Sequence, residues 1–409
     1  MARFRVYLKP FIDDFGSAYA AAWREITDDV MTLGQLTQQL DNTEYDVGIF
    51  RASSMKVKLR NDHGLFGPAG ELQSLFKFRR GGTKVKVTWQ SGDSNLYCGF
   101  FEAGHPASIL SDEYDIFEGI LDDNAAKSPI DEQAVEFLVQ GYEGDLARML
   151  VPFSSISDGD TFEEAIYAIC NQAPLSENVT VSLANIACGN SEEIDDKARL
   201  ENKTALEALK EILLISNSVL YVRDNVLRVS SRAANAASPY SFYGPGSLGG
   251  IENMLDVNDY RSGENRIINF LTWEETNLFS QAADSILQYG YRPKQIGNGL
   301  LTDSAKIQRC LDSIRSEFGL PKREFSVVAP VSEGTFDLNV LDRISVDYPT
   351  EKTNPEDRPV AIYGIGEYGQ DYYAEEIFRL SIDGASRFKA LSRKIDFQSQ
   401  SITLNVREV

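Results

Sequence analysis

The sequence predicts a mainly β fold with minor α content, in which β regions at both ends of the chain flank a small α+β insert. Three observations predict it. Short runs near each end alternate apolar and polar residues at period two. Helical stripes with start signals are confined to the middle of the chain and to one later segment. The 409 residues are 43% hydrophobic and 25% charged, which suits about two to four folded domains, each with its own core.

The strands come first. Met55, Val57 and Leu59 alternate with Lys56, Lys58 and Arg60, and Val85, Val87 and Trp89 alternate with Lys84, Lys86 and Thr88. The same period recurs at Ile344/Val346/Tyr348, Phe378/Leu380/Ile382 and Ile402/Leu404/Val406. Successive strand side chains point to opposite faces, so each run describes a strand with one face buried and one wet.

The helices follow. Thr161-Phe162-Glu163-Glu164 spells a capping box, with Ala165, Ile166, Ile169 and Cys170 on one face and a stop at Pro174. Thr204-Ala205-Leu206-Glu207 spells a second one, leading Leu206, Leu209 and Leu213 along a stripe. A third helix starts near Asp303, carries Ile307, Leu311, Ile314 and Phe318, and ends at Gly319-Leu320-Pro321.

After the second helix, Val219–Arg223 and Val226–Val229 are separated by Asp224-Asn225, residues suited to the positive φ angles of a tight hairpin turn. Ser238 to Gly250, rich in Gly, Pro, Ser and Tyr, reads as an interdomain connection, and Thr350 to Pro359 as a long hairpin loop. One internal echo stands out. Lys84–Trp89 followed by Tyr97–Glu102 resembles Arg343–Tyr348 followed by Tyr363–Glu367, each a strand, a loop and a glycine-containing strand. Two unrelated hairpins, or two related β domains flanking the insert, both account for it.

Composition narrows the function. With 40 Lys and Arg against 61 Asp and Glu, the formal charge of −21 is a poor start for gripping nucleic acid. The local exception, Lys77, Arg79, Arg80, Lys84 and Lys86, reads as a solvated hairpin surface. No apolar run approaches the roughly 20 residues that span a bilayer, and the N-terminus does not read as a signal peptide. Cys98, Cys170, Cys188 and Cys310 lie far apart without metal-type spacing and read as buried free thiols in a cytoplasmic folding compartment.

No catalytic, cofactor-binding or metal-binding constellation emerges. The two histidines, His63 and His105, lie in separate turn-like segments, and no serine or cysteine occupies a nucleophile elbow. Gly364-Ile365-Gly366-Glu367-Tyr368-Gly369 matches GxGxxG in letters, but strand-like sequence follows it where the fingerprint needs a helix. The acidic pairs Asp13-Asp14, Asp28-Asp29, Asp122-Asp123 and Asp195-Asp196 spell no EF-hand loop, and Ser157-Asp158-Gly159-Asp160 precedes a helix N-terminus that favours carboxylates. The chain reads as a non-enzyme without cofactors.

In its succession of segments the chain resembles the baseplate-hub family of phage tails, which includes the T4-type hub and siphophage tail-associated proteins. The resemblance rests on Trp23–Val30 as an opening strand, on Tyr45–Phe50 leading into Met55–Leu59, and on the capped Thr204 helix with its Leu220–Val229 hairpin. Further along it rests on Ser285–Gly290 before the Asp303–Phe318 helix, on Leu341–Val346, and on a closing hairpin of Ser392–Phe397 against Ser401–Arg407. Leu341 departs from the pattern, standing where a glycine is frequent.

The resemblance implies two related tube-like β-barrel or sandwich domains, at 1–135 and 326–409. It implies an α+β insert at 136–250 and a connecting segment with a helix at 251–325, packed on the hub domains. It also implies a homotrimer that caps the tail tube at the tip of the virion after assembly in the host cytoplasm. Other tail proteins (distal-tail ring, tape measure, fibre or spike) would be its neighbours, with no direct membrane anchor. Genome DNA would pass through the channel without specific binding, repelled by an acidic wall. A hexameric distal-tail ring protein and a carbohydrate- or receptor-binding adhesin are the alternatives.

Overall fold

The computed structural model describes residues 3–11, 19–40, 48–67, 74–76, 81–90, 113–127, 133–232, 240–244, 247, 250–261, 263, 266–274, 276–332, 335, 338, 340–348, 382 and 387–409. The first β region contains β1 (Arg3–Lys9), β2 (Arg24–Glu25), β3 (Val30–Leu33), β4 (Leu36–Leu40), β5 (Gly48–Arg60), β6 (Lys84–Gln90), β7 (Glu113–Lys127) and β8 (Ala134–Gly141). The middle contains α1 (Phe162–Cys170), α2 (Leu175–Asn178), α3 (Ala205–Ile215) and the hairpin β9 (Ser218–Arg223) and β10 (Val226–Ser231). Next come β11 (Tyr240–Tyr243), β12 (Asp256–Arg261), β13 (Phe270–Trp273), β14 (Phe279–Gln281), α4 (Ala283–Tyr289), β15 (Pro293–Ile296) and α5 (Ser304–Phe318). The second β region contains β16 (Glu324–Pro330), β17 (Arg343–Asp347), β18 (Arg387–Asp396) and β19 (Ser401–Glu408). The fold is mainly β, as expected.

In the first region β1, β6, β7, β8 and β5 pair antiparallel in that order, and β3 and β4 follow one another along the far edge of β5. On the outer edge of β1, β2 pairs at Tyr7 and Leu8 and passes through a 3-10 turn (Thr27–Asp29) into β3. The sheet therefore curls back towards β5. Period two decides what it encloses: Val6, Leu8, Met55, Val57, Leu59, Val85, Val87, Phe137 and Val139 face one buried core.

The middle body forms a second core. Both capping boxes are present in full, with Thr161 and Thr204 side chains accepting from Glu164 and Glu207 backbone N–H and each glutamate returning the bond. The β9–β10 turn places Asp224 at φ 52° and Asn225 at φ 56°, as the tight hairpin required. The expected buried face of α5, Ile307, Leu311, Ile314 and Phe318, is buried together with Cys310.

Four expectations change. Trp23–Val30 is not one opening strand: Arg24 and Glu25 pair with β1, a 3-10 turn follows, Val30 already opens β3, and the opening strand is β1. Ser238 to Gly250 is not wholly irregular, because Tyr240–Tyr243 pairs in parallel with β17. The boundary expected at 135–136 falls inside β8. The segment at 251–325, expected to pack on the β regions, divides: β12 pairs with β16 and Met254 joins the core of the β regions, whereas Ile268, Leu271, Trp273, Ile296 and the α5 stripe join the core of α1, α3 and the β9–β10 hairpin. Those side chains are apolar on the face turned to the insert, so packing there removes apolar surface from water.

Tyr97–Glu102, Thr350–Pro359, the 364–369 glycine run, Tyr363–Glu367, Phe378, Leu380, Asp13-Asp14, Lys77, Arg79, Arg80, Cys98 and His105 lie outside the described residues.

Candidate functional site

Five strands are built twice. The succession β4–β5–β8–β7–β6 in the first region repeats as β12–β16–β19–β18–β17 in the second, in the same chain order and antiparallel at each step. The match extends to single hydrogen bonds. Gly82 N donates to Leu121 O (2.9 Å) and Leu121 N to Thr83 O (2.9 Å). Leu341 N donates to Ala390 O (2.7 Å) and Ala390 N to Asp342 O (3.0 Å). Gly82 has φ 84° and Leu341 φ 75°. Leu341 thus occupies a left-handed position that favours glycine, which is the departure noted in the sequence. The echo between Lys84–Trp89 and Arg343–Tyr348 falls on β6 and β17, the same place in each unit.

The two units join edge to edge inside the chain. The second half of β18 pairs antiparallel with β4, setting Ser392 opposite Gln39 and Ile395 opposite Leu36. Gln35 Nε2 donates to Asp396 Oδ2 at 2.9 Å, and this bond holds the Asp396 carboxyl below its usual range. The buried Gln38 accepts from Arg393 Nη1 at 3.4 Å across the seam. On the wet face, an open groove of about 360 Å³ crosses β12, β16, β19, β18 and β4. Its walls are mostly hydroxyls and amides, among them Thr37, Gln39, Ser326, Thr403 and Asn405, with Asp259 and Lys394 the charged members.

The middle body is pinned to this β frame by buried polar contacts. Glu143 is fully enclosed and accepts from Ser53 N (2.8 Å) and Ser53 Oγ (2.7 Å); burial pushes its carboxyl above the usual range. Tyr142 Oη and Asn225 Nδ2 both donate to the Glu118 carboxylate, at 2.6 and 2.9 Å. Lys84 is half-buried with its ammonium over the rings of Tyr19 and Tyr142, so it is not the solvated hairpin residue expected; burial lowers its pKa. At the other end, Lys389 Nζ donates to the carbonyl of Arg232, and burial brings its pKa down to about 8.

Among the described residues, reactive groups do not converge. His63 is highly exposed in a turn, 3.8 Å from Asp62. Burial raises the Cys170 thiol and pushes those of Cys188 and Cys310 up to about 12, which suppresses the thiolate. Among the described residues no group of three His, Cys, Asp or Glu could hold a metal ion. No helix among them is long and apolar enough to cross a membrane. Asp195 accepts from Thr302 N, Asp303 N and Lys306 Nζ, so it ties the insert to the start of α5. The seam residues escaped sequence reading because Gln38 and Arg393 look like surface residues until register brings them together.

No family model and no curated protein matches the sequence. The fold, however, has solved counterparts. A tail protein from Neisseria meningitidis MC58 matches over 100% of this chain and 96% of its own, with 11% identity and a TM-score of 0.54. A tail protein of prophage MuSo2 from Shewanella oneidensis matches over 99% and 96%, with 12% identity and a TM-score of 0.53. A prophage tail protein from Listeria monocytogenes EGD-e matches over 98% and 94%, with 9% identity and a TM-score of 0.51. The chain has the fold of these tail proteins along its whole length, and the resemblance to phage tails expected from the sequence is borne out at the level of fold.

Proposed function

We propose that this chain is a structural hub subunit at the tip of a phage tail, where copies of it close a ring that caps the tail tube and surrounds the DNA channel. The observation that carries the reading is the doubled five-strand unit joined through β4 and β18. A chain with two equivalent units turns three copies into six similar positions, the number a hexameric tube presents. The reading therefore takes the protein as a homotrimer, with the β units as hub domains and the middle body as a peripheral insert. Closed symmetry of this kind repeats one interface around the ring.

The same reading makes the protein a scaffold and not an enzyme. Among the described residues, burial raises the thiols of Cys170, Cys188 and Cys310 and makes them poor nucleophiles, which fits this reading. The adjoining tail proteins would be a distal-tail ring, a tape measure and a fibre or spike. DNA would slide past without specific binding. The hydroxyl- and amide-lined groove suits that role, since it offers a polyanion little fixed charge to stick to.

Antibody labelling of intact particles from the producing strain, viewed by electron microscopy, tests the reading. Label confined to the tail tip is the expected result; label along the tube, or none on particles, would reject it. The adhesin alternative predicts binding on a glycan array, and the hub reading predicts none.

A further inference from the structure

We infer that Thr27 and Asn253 are equivalent latches, each closing one of the two β units by clamping its outer strand with a side-chain oxygen. The latches belong to the units themselves and stand whether or not the chain sits in a tail hub. Each unit has a strand beyond its five: β1 lies outside β6, and β11 lies outside β17. On the side of β1 away from β6, Val6 N donates to Thr27 Oγ1 at 3.1 Å and Val6 O accepts from Ile26 N at 2.8 Å. On the side of β11 away from β17, Tyr243 N donates to Asn253 Oδ1 at 2.7 Å and Tyr243 O accepts from Asn253 N at 3.1 Å. In both places one residue of the outer strand is held at both of its backbone groups, the donor by a side chain and the acceptor by a backbone N–H.

The clamps also lie at the same point of the chain's path. Three residues after Thr27 the chain enters β3 at Val30, and three residues after Asn253 it enters β12 at Asp256. β3 pairs with β5, and β12 pairs with β16, the equivalent strand of the other unit. Each strap therefore runs from the outer strand on one side of its unit to a strand on the other side, folding the unit back on itself. Beside each latch one apolar side chain, Ile26 or Met254, is buried in the β core and sets the depth of the strap.

A copied strand does not account for the likeness. β1 runs antiparallel to β6 whereas β11 runs parallel to β17, so the two outer strands point in opposite directions. The clamp recurs although the strand is reversed, which ties it to closure of the unit. The physical need is plain: a strap that turns from one edge to the other leaves ladder register, and the outward N–H of the outer strand must then find another acceptor. Short polar side chains supply it. Asn253 does more, because its Nδ2 donates to Ser241 O at 2.9 Å, so its amide stands in for the peptide group of a neighbouring strand. In the first unit the Thr27 hydroxyl donates to Glu25 Oε1 at 2.9 Å, and the backbone of β2 pairs with Tyr7 and Leu8. Edges filled in this way are poor templates for a foreign strand.

Amide hydrogen exchange, read at single residues by mass spectrometry on the full-length protein, tests the latches. In the wild type the Val6 and Tyr243 amides should be protected; free exchange at either would overturn its latch. Thr27→Val should speed exchange at Val6 by roughly fivefold to tenfold, the loss of one hydrogen bond, and leave Tyr243 unchanged. Asn253→Ala should speed Tyr243 and leave Val6 unchanged. Thr27→Ser and Asn253→Asp keep the accepting oxygen and should hold those amides close to the wild-type rate. An unchanged rate at the latched amide, an equal rise across the whole chain, or serine and aspartate variants as fast as the valine and alanine ones would contradict the latches.

Discussion

Phe4 and Phe397 meet edge to face, with ring centroids 4.7 Å apart, so the first strand of the chain packs on the turn of its last hairpin. Both belong to the one apolar core that the two β units share. Chain ends separated by the whole middle body are thereby made parts of a single cooperative frame.

Replacing Phe397 by alanine should therefore destabilise both units together, by about 3 kcal/mol for a buried aromatic ring. Urea unfolding followed by Trp23/Trp89 fluorescence and by far-UV circular dichroism should show one shared, shifted transition for the β signal. Separate transitions for the two β units would contradict the shared core.

Leu341, at φ 75°, inverts the usual order of substitutions. Its side chain is partly buried against Val219 and Leu391, so truncation loses packing either way. Glycine also relieves the left-handed backbone, whereas alanine retains the strain. Leu341→Gly should be more stable than Leu341→Ala by about 1 kcal/mol, measured by urea unfolding. Alanine proving the better replacement would show that the position is not strained.

Asp195 supplies an acid-sensitive clip. Burial pushes its carboxyl up, but the hydrogen bonds from Lys306, Thr302 and Asp303 outweigh this and bring it down to about 2. A depressed carboxylate contributes stability above its unfolded value near 3.8, and that stability fades as pH falls towards 2. Asp195→Ala should lose about 1–2 kcal/mol at neutral pH, with the deficit shrinking below pH ~4. A deficit that is constant down to pH ~2 would contradict the clip.

Lys389 behaves in the opposite sense. Burial lowers its pKa to about 8, reinforced by Lys322, Arg232 and Arg343 and opposed by Glu317. The folded protein therefore sheds this proton before the unfolded chain does, and wild-type stability gains as pH rises from about 8 to the ordinary lysine value of 10.5. Relative to Lys389→Met, the wild type should gain roughly 1–3 kcal/mol across that window. A flat difference between the two proteins would show that the ammonium is not buried at the junction.

Much of the frame was legible because period two and capping boxes are local signals. Val85, Val87 and Trp89 alternate within a few residues, and Thr204 names its own partner, Glu207, three residues on. The kinship of β6 and β17 was visible for the same reason. By contrast, Tyr240–Tyr243 is four residues long, too short for a period, and it joins the sheet only because β17 offers an edge. The pairing of Gln38 with Arg393 spans most of the chain, and no local pattern encodes it. The destination of α5 was misjudged because its stripe states that it is buried, not against what.

The central claim, that two β units per chain build a closed hub ring, is tested most directly by the mass of the purified protein in solution, measured by light scattering over a concentration series. The account predicts three copies of the 45.6 kDa chain. Six copies would contradict it and assign the fold to a hexameric ring of the tail.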